Sequence, residues 1–471
     1  MTADATYYGV LLLALHVLTA SSATLHALLF KSDSRAAFGW IGVVIVFPYA
    51  GALLYLLFGI NRVRRKAQRR GILGIPWTES GLLPVAGSED EAVPPMQHVG
   101  RTVTGQPLVE HNQVSMLVNG EATFERMLEC IAQATNQILL MTYIFDRDST
   151  GSTFVSALGD AVARGVEVCV LVDDIGRRYR FPTIMPALRE AGIDARCFMP
   201  IRLFPPSLSL NLRNHRKLMV VDGTVGFAGG MNIGDRQLAN PPSGHGSTDL
   251  HFEFAGPIVR DFGRLFDEDW QRADGAPIEV LGSSEAAAAH CRCRLVPDGP
   301  DNHLDHLSMV IEGVISSASK RIRIVTPYFL PSRKLIGALQ AAALRGVDVC
   351  VVLPAKNNWP IVQWALGHTM WELLNAGVRI VMQPPPFAHT KCIVIDKDYA
   401  LVGSTNLDPR SLRLNFELGI EVFSSDFNRT LGAHVEALCA KSVSITREQA
   451  SNRGGMVRVR DALAALFSPY L

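Results

Sequence analysis

The stretch His215-Arg216-Lys217-Leu218-Met219-Val220-Val221-Asp222 runs on to Gly229-Gly230-Met231-Asn232. It recurs as His389-Thr390-Lys391-Cys392-Ile393-Val394-Ile395-Asp396, running on to Gly403-Ser404-Thr405-Asn406. Both copies read H-x-K-x4-D-x6-G-[GS]-x-N, 174 residues apart. Identical spacing of five chemically distinct positions marks one active site built from two halves.

The flanks repeat as well. In the first half a helical pattern over Glu121 to Ala134 leads into the apolar run Ile138 to Tyr143. A helix through Phe154 to Ala163 follows, then Arg164-Gly165-Val166 and a second apolar run to Asp173. In the second half Leu304 to Ala318, Ile322 to Tyr328, Lys334 to Leu344 and Arg345-Gly346-Val347 to Pro354 take the same places. Strands alternating with helical patterns predict an α/β fold of two pseudo-symmetric halves, each a mixed sheet flanked by helices. The β-branched runs read as buried, mostly parallel strands. The halves are expected at 107–275 and 276–440, with a Gly/Ala-rich bridge from about Ala273 to His290.

Within each motif, strand, tight turn and returning strand follow one another. A period of two puts His215 and Lys217 on one face, and likewise His389 and Lys391. Asn232 and Asn406 return level with the histidines. Two such clusters suit one phosphate, with the lysines neutralising its oxygens and Asn232, Asn406, Ser404 and the Gly230 backbone as candidate contacts. Two imidazoles on one phosphorus divide the labour: one attacks to form a phosphohistidine, the other protonates the leaving alkoxide and deprotonates the incoming hydroxyl. The lysines already supply positive charge, so neither metal nor cofactor is expected.

Asp222 and Asp396 complete the motif and are counted with its catalytic set. A strand rises roughly 3.3 Å per residue, which places each about 20 Å from its histidine. Their favoured role is therefore to cap the hairpin turn. Orienting carboxylates should come from elsewhere: Glu417, after Asn415-Phe416, is nominated for His389, and Asp249, after Thr248, for His215. Asp408 and Arg410 read as a structural ion pair.

The chain holds 471 residues, 48% of them apolar, with a net charge of +1. That near-neutrality argues against nucleic acid as a partner. Eight cysteines form no C-x-x-C pair; Cys169 and Cys350 read as buried hydrophobes and Cys291-Arg292-Cys293 is too little for zinc. Two stretches without Asp, Glu, Lys or Arg, Thr6 to Phe30 and Ala36 to Ile60, are long enough to cross a bilayer. They predict a two-helix transmembrane hairpin over 1–61, with His16 packed between helices and Pro48, Gly51 and Gly59 marking a kink or close packing. Arg62, Arg64, Arg65, Lys66, Arg69 and Arg70 follow, against two basic residues in the hairpin loop, which predicts a cytoplasmic catalytic domain. The same cluster would attract anionic lipid. Residues 62–106 read as basic juxtamembrane segment and linker. Residues 441–471 read as an amphipathic segment, lying on the membrane or packing on the body of the protein.

These motifs resemble the phospholipase D superfamily. Thr326-Pro327-Tyr328, Gly403 to Ser411, Asn415-Phe416-Glu417, Gly229 to Asp235, and Trp40, Pro48, Gly51 and Tyr55 are similar to the bacterial cardiolipin synthases within it. The resemblance implies transfer of a phosphatidyl group between two phosphatidylglycerol molecules, releasing glycerol, at the bacterial inner membrane. It further implies His215 as nucleophile, His389 as acid/base and Glu417 as an orienting acid. Gly230 departs from the second motif, where Ser404 stands, and so lacks one hydroxyl donor. A membrane-bound phosphodiesterase that uses water as acceptor is the alternative, because the motifs permit it. A non-catalytic scaffold would predict one degraded motif, and both are intact. A homo-oligomer is compatible with the sequence.

Overall fold

The computed structural model describes residues 2–31, 34–59, 94–201, 212–241, 244–282, 291–301 and 303–468. The chain divides into two compact units, Met1–Leu73 and Gly74–Leu471. The basic cluster 62–70, most of the expected linker and the end of the Gly/Ala-rich bridge lie outside the described residues.

In the first unit, one helix runs Thr2–Phe30. Its Tyr7–Phe30 part is the one helix among the described residues long and apolar enough to cross a membrane. The expected second span is broken. It forms Ser34–Val46, then Ala50–Leu54, then a π-helical turn Tyr55–Gly59. The break falls at Pro48, which cannot continue a helical hydrogen-bond ladder, and Tyr49 takes φ 58°. A two-pass hairpin is therefore not what the helices themselves establish. The segments do pack: His26 Nδ1 and Tyr55 Oη lie 2.7 Å apart, and the Trp40 and Tyr55 rings meet at 5.4 Å. A side chain at Gly51 would sit 2.4 Å from the Val43 carbonyl, so this close turn needs glycine.

The second unit is built on one continuous mixed sheet. The first-half strands are β1 (Val109–Val118), β2 (Gln137–Thr142), β3 (Glu167–Asp173), β4 (Asp194–Phe198), β5 (Arg213–Asn214), β6 (Leu218–Val221), β7 (Val225–Gly229), β8 (Ser247–Thr248) and β9 (Leu250–Ala255). The second-half strands are β10 (Cys291–Asp298), β11 (Arg321–Val325), β12 (Asp348–Pro354), β13 (Arg379–Gln383), β14 (Phe387–Ala388), β15 (Cys392–Ile395), β16 (Tyr399–Gly403), β17 (Asn415–Phe423) and β18 (Val443–Ser444). Fifteen of them lie in the order β18-β13-β12-β11-β15-β16-β17-β10-β1-β9-β7-β6-β2-β3-β4, β5 pairs with β17 off this path, and β8 and β14 form a separate two-stranded sheet. The halves are fused at its centre, where β1 and β10 pair antiparallel.

The expected parallel strands are β2-β3-β4 and β11-β12-β13; the motif strands pair antiparallel. β2 is buried along its whole length, so its alternate residues feed two cores. Leu139 and Met141 join a core that both halves share, beneath the Ile258–Arg272 and Ser425–Lys441 helices. Ile138 and Leu140 join a first-half core under the Asn119–Gln133 and Ser149–Ala163 helices. Cys169 and Cys350 are buried in the shared core, as small hydrophobes.

Two boundaries move. The end of the expected linker is the Pro95–Thr104 helix, held by two hydrogen bonds from Arg294 to the Gln97 carbonyl at 3.1 and 3.0 Å. The C-terminal segment is built into the second half: β18 pairs β13, and the Gly455–Leu466 helix packs on Pro360–Asn375.

Candidate active site

Each motif histidine stands just after a two-residue strand that crosses to the other half. β5 pairs parallel with β17, and the His215 amide donates to the Phe416 carbonyl at 2.9 Å. β14 pairs parallel with β8, and the His389 amide donates to the Thr248 carbonyl at 2.8 Å. The next residue on each receiving strand is an acid. His215 Nδ1 therefore lies 2.9 Å from Glu417, and His389 Nδ1 lies 2.9 Å from Asp249. This reverses the expected pairing. Sequence proximity suggested Glu417 for His389 and Asp249 for His215, but the crossing strands carry each histidine to the opposite half's acid. Glu417 and Asp249 are themselves equivalent, each two residues before the partner of its motif glycine, Gly403 with Gly419 and Gly229 with His251.

With both Nδ1 atoms engaged, both Nε2 atoms are left for chemistry. Each histidine side chain is 13% exposed, enough for a phosphate to reach it. Lys217 Nζ donates to the His215 carbonyl and Lys391 Nζ to the His389 carbonyl, each at 2.5 Å. Lys391 Nζ also lies 3.1 Å from both ring nitrogens of His389.

Burial sets the electrostatics. It pushes the His215 pKa down to about 4, opposed by Glu417 and helped by Lys217 and Lys391. It does the same to His389, with Lys391 adding to the shift and Asp249 opposing it. Both imidazoles are therefore neutral at pH 7, the state a nucleophile or base requires. Burial also lowers Lys217 well below the ordinary range and Lys391 to about 8. Each lysine acts on the opposite half's histidine, so the four groups converge on one centre. Burial alone would raise Glu417 and Asp249, but His215 and Lys217 outweigh it for the first, and Lys391 and His389 for the second. Both stay ionised.

The remaining expected contacts separate. Ser404 is fully buried, and its hydroxyl donates to Glu417 at 2.5 Å, so it serves the carboxylate rather than a phosphate. Gly230, its counterpart, has no room for a side chain: a Cβ would lie 2.8 Å from Asp249 Oδ2 and 3.2 Å from Lys391 Nζ. The Asn232 side-chain oxygen accepts from the Ile144 amide at 3.0 Å, which leaves its NH₂ group to donate. Asn406 donates to Ser411 Oγ at 3.4 Å.

Asp222 and Asp396 are not in the site. Asp222 accepts from the amides of Thr135, Asn136 and Gln137 and from the Thr135 hydroxyl; Asp396 does the same for Ser319, Lys320 and Arg321. Each fastens its hairpin to the start of the neighbouring strand, so their place in the catalytic set is withdrawn on geometry. Asp408 and Arg410 form no ion pair among the described residues; Asp408 instead accepts from the Ser411 amide at 2.8 Å.

Three groups inside the quoted motifs had been given no role. Ser411 donates to Glu417 at 2.6 Å, and Asn415 at 3.3 Å. Arg216, fully buried, pairs with Asp269 at 2.7 Å and donates to the backbone of Glu417 and Asp298. Its place between His215 and Lys217 pointed at the site. Its partner lies on the Ile258–Arg272 helix, 53 residues on, where no spacing rule reaches.

The family model described as "Cardiolipin synthase, PLD-like domain" matches residues 127–270 and 311–439, and "Phospholipase_D-nuclease N-terminal" matches 13–59. Cardiolipin synthase A of Pseudomonas aeruginosa is 33% identical, over 99% of this chain and 96% of its own length. Cardiolipin synthase A of Pseudomonas fluorescens is 32% identical, over 98% of each. Among solved structures, phosphatidylserine synthase of Haemophilus influenzae aligns with TM-score 0.60 at 14% identity, covering 80% of this chain and all of that one. That last likeness is one of fold.

Proposed function

The chain belongs to the cardiolipin synthase family with the PLD-like domain, and from that membership we infer that it is a phosphatidyltransferase making cardiolipin. Its substrate is phosphatidylglycerol, used as both donor and acceptor.

The observation that carries the site assignment is the crossed pairing of His215 with Glu417 and His389 with Asp249. It presents two imidazoles and two lysines to one phosphate. In the first step His215 Nε2 attacks phosphorus of one phosphatidylglycerol. The bond to the glycerol headgroup oxygen breaks, His389, which takes up a proton as it faces the anionic phosphate, gives that proton to the oxygen, and glycerol leaves. In the second step a headgroup hydroxyl of another phosphatidylglycerol gives its proton to His389 and attacks phosphorus. The phosphorus–nitrogen bond breaks, cardiolipin leaves, His215 returns to its neutral form and His389 to its protonated one. Lys217 and Lys391 balance the charge on the phosphoryl oxygens, and the Asn232 and Asn406 amides donate to them. His215 takes the nucleophile's part because Glu417, which orients it, is itself fixed by Ser404, Ser411 and Asn415.

The N-terminal apolar helix anchors the enzyme in the membrane. We place the broken segment Ser34–Gly59 in the bilayer beside it, supported by the His26–Tyr55 and Trp40–Tyr55 contacts. The bacterial inner membrane, with the catalytic unit in the cytoplasm, is favoured by the basic residues after the hairpin.

The test is a product assay on detergent-purified protein given phosphatidylglycerol alone. Cardiolipin with one glycerol per turnover is expected. Phosphatidic acid without cardiolipin would make water the acceptor and the enzyme a phosphodiesterase.

A further inference from the structure

The C-terminal helix Gly455–Leu466 packs on Pro360–Asn375 through its small and charged side. Asp461 is buried there against Arg453 at 2.7 Å, and Ala464 is buried beside it. The opposite side carries Met456, Val459, Leu463, Leu466 and Phe467, spaced as one helical stripe and between 55% and 85% exposed. The neighbouring helix adds Trp364 and Trp371, one face apart by seven residues, at 37% and 48% exposed. Arg460 lies 4.8 Å over the Trp364 ring and joins the two stripes into one face. A folded chain leaves a run of this size in water only when something covers it.

Charge identifies the cover. The acids of these two helices are withdrawn: Asp461 is buried, and Glu372 is paired with Arg333 at 2.6 Å. The exposed basic residues are Arg458 and Arg460, the latter paired with the buried Asp461 at 2.8 Å, beside tryptophan and aliphatic side chains. Arginine and tryptophan flanking an aliphatic stripe suit the boundary between anionic headgroups and acyl chains. The face also begins at the site. Next to His389, the Phe387 ring is 5.9 Å away; Tyr328 follows at 6.4 Å and donates to Asn358 at 2.7 Å, and Trp359 comes next in the chain, 54% exposed.

We propose that the exposed face of Gly455–Leu466 and Pro360–Asn375 is a docking surface for an anionic bilayer, seating the His389 side of the site at the lipid interface. It rests on the lipid-transfer reading for its substrate. It is distinct from the N-terminal anchor, which holds the enzyme to the membrane but says nothing of how the catalytic unit meets it.

The experiment uses the full chain in proteoliposomes. The variant Met456→Ser/Val459→Ser/Leu463→Ser/Leu466→Ser changes exposed side chains only. It should lose about tenfold in rate on bilayer phosphatidylglycerol, yet keep the wild-type rate on a dispersed short-chain phosphatidylglycerol. An unchanged bilayer rate would overturn the proposal, as would an equal loss on both substrates, which would make the stripe part of the fold. An activity-independent check is quenching of tryptophan fluorescence by lipids brominated in the upper acyl chain. Quenching should be stronger in phosphatidylglycerol-containing than in phosphatidylcholine vesicles, and weaker in Trp364→Phe/Trp371→Phe; equal quenching in the two proteins overturns the proposal. A fall in particle size on making the serine variant would assign the face to a second copy instead. Wild-type protein silent on both substrates would count against the transferase alone, and the quenching would still decide the face.

Discussion

The two halves of the site are built alike and supported differently. Glu417 is held by three side-chain donors, Ser404, Ser411 and Asn415, besides His215. Asp249 has the Leu250 amide at 2.7 Å and otherwise His389, with Lys391 beside it. Where the second half places the Ser404 hydroxyl, the first has Gly230, because Asp249 and Lys391 fill the space a side chain would need. Both carboxylates face a lysine, but only Glu417 is also fastened by neutral side-chain hydrogen bonds. The first arrangement suits an imidazole that must hold one geometry through attack and release. The second suits one whose proton comes and goes.

The hardest test of that contrast removes the imidazoles. His215→Ala and His389→Ala should each reduce turnover by about 10⁴-fold or more, and only His389→Ala should retain a trappable phosphoenzyme from donor labelled in phosphorus. A phosphoenzyme in His215→Ala would exchange the roles. Next come the orienting acids. Glu417→Gln and Asp249→Asn should each cost about 10²- to 10³-fold, with Glu417→Gln slowing phosphoenzyme formation and Asp249→Asn slowing its discharge. The effects follow the crossed pairs; if Glu417→Gln instead reproduced the His389→Ala phenotype, the crossing would have no functional meaning.

The pH profile of kcat/KM should show the charge-held half directly. Burial lowers Lys391 to about 8, so its ammonium is lost as pH rises through that value and activity falls about tenfold per unit beyond it. On the acid side, the nucleophile His215 accepts a proton only toward about 4, so activity should persist to lower pH than an ordinary histidine allows. A profile falling below about 6.5 would mean that His215 is not desolvated in the working enzyme.

The smallest effect on rate belongs to the two motif aspartates. Burial alone would raise their pKa, but three backbone amides apiece hold both carboxyls below the usual range. Asp222→Asn and Asp396→Asn should each lower stability by about 1–3 kcal/mol in thermal unfolding and leave the activity of the folded fraction near wild type. Equal losses would confirm that the halves are alike at this end. A fully folded, inactive Asp222→Asn would return that residue to the site.

Much of this was legible because the motif residues lie close in sequence. His215 with Lys217 and His389 with Lys391 follow from a period of two, and strand rise alone separates the aspartates from the histidines. The parallel strands were visible as apolar runs bounded by Arg-Gly-Val. The break at Pro48 was marked, yet the second apolar stretch still read as one span, because hydropathy is blind to where a helix ladder stops. The roles of Ser411 and Arg216, and Asp269 altogether, were not legible, since each acts through a partner brought near only by the fold.

The sequence by itself determined that there are two equivalent halves, which imidazoles and ammonium groups they supply, and that an apolar anchor precedes them. Those are statements about local spacing and composition, which the backbone geometry of a strand or helix converts directly into position. Tertiary structure alone decided which carboxylate faces which histidine. β5 and β14 each cross to the opposite half, and that exchange is set by pairing between strands some 200 and 140 residues apart. Nothing in the spacing of either motif carries that information, because the partner strand is chosen by packing of the whole sheet.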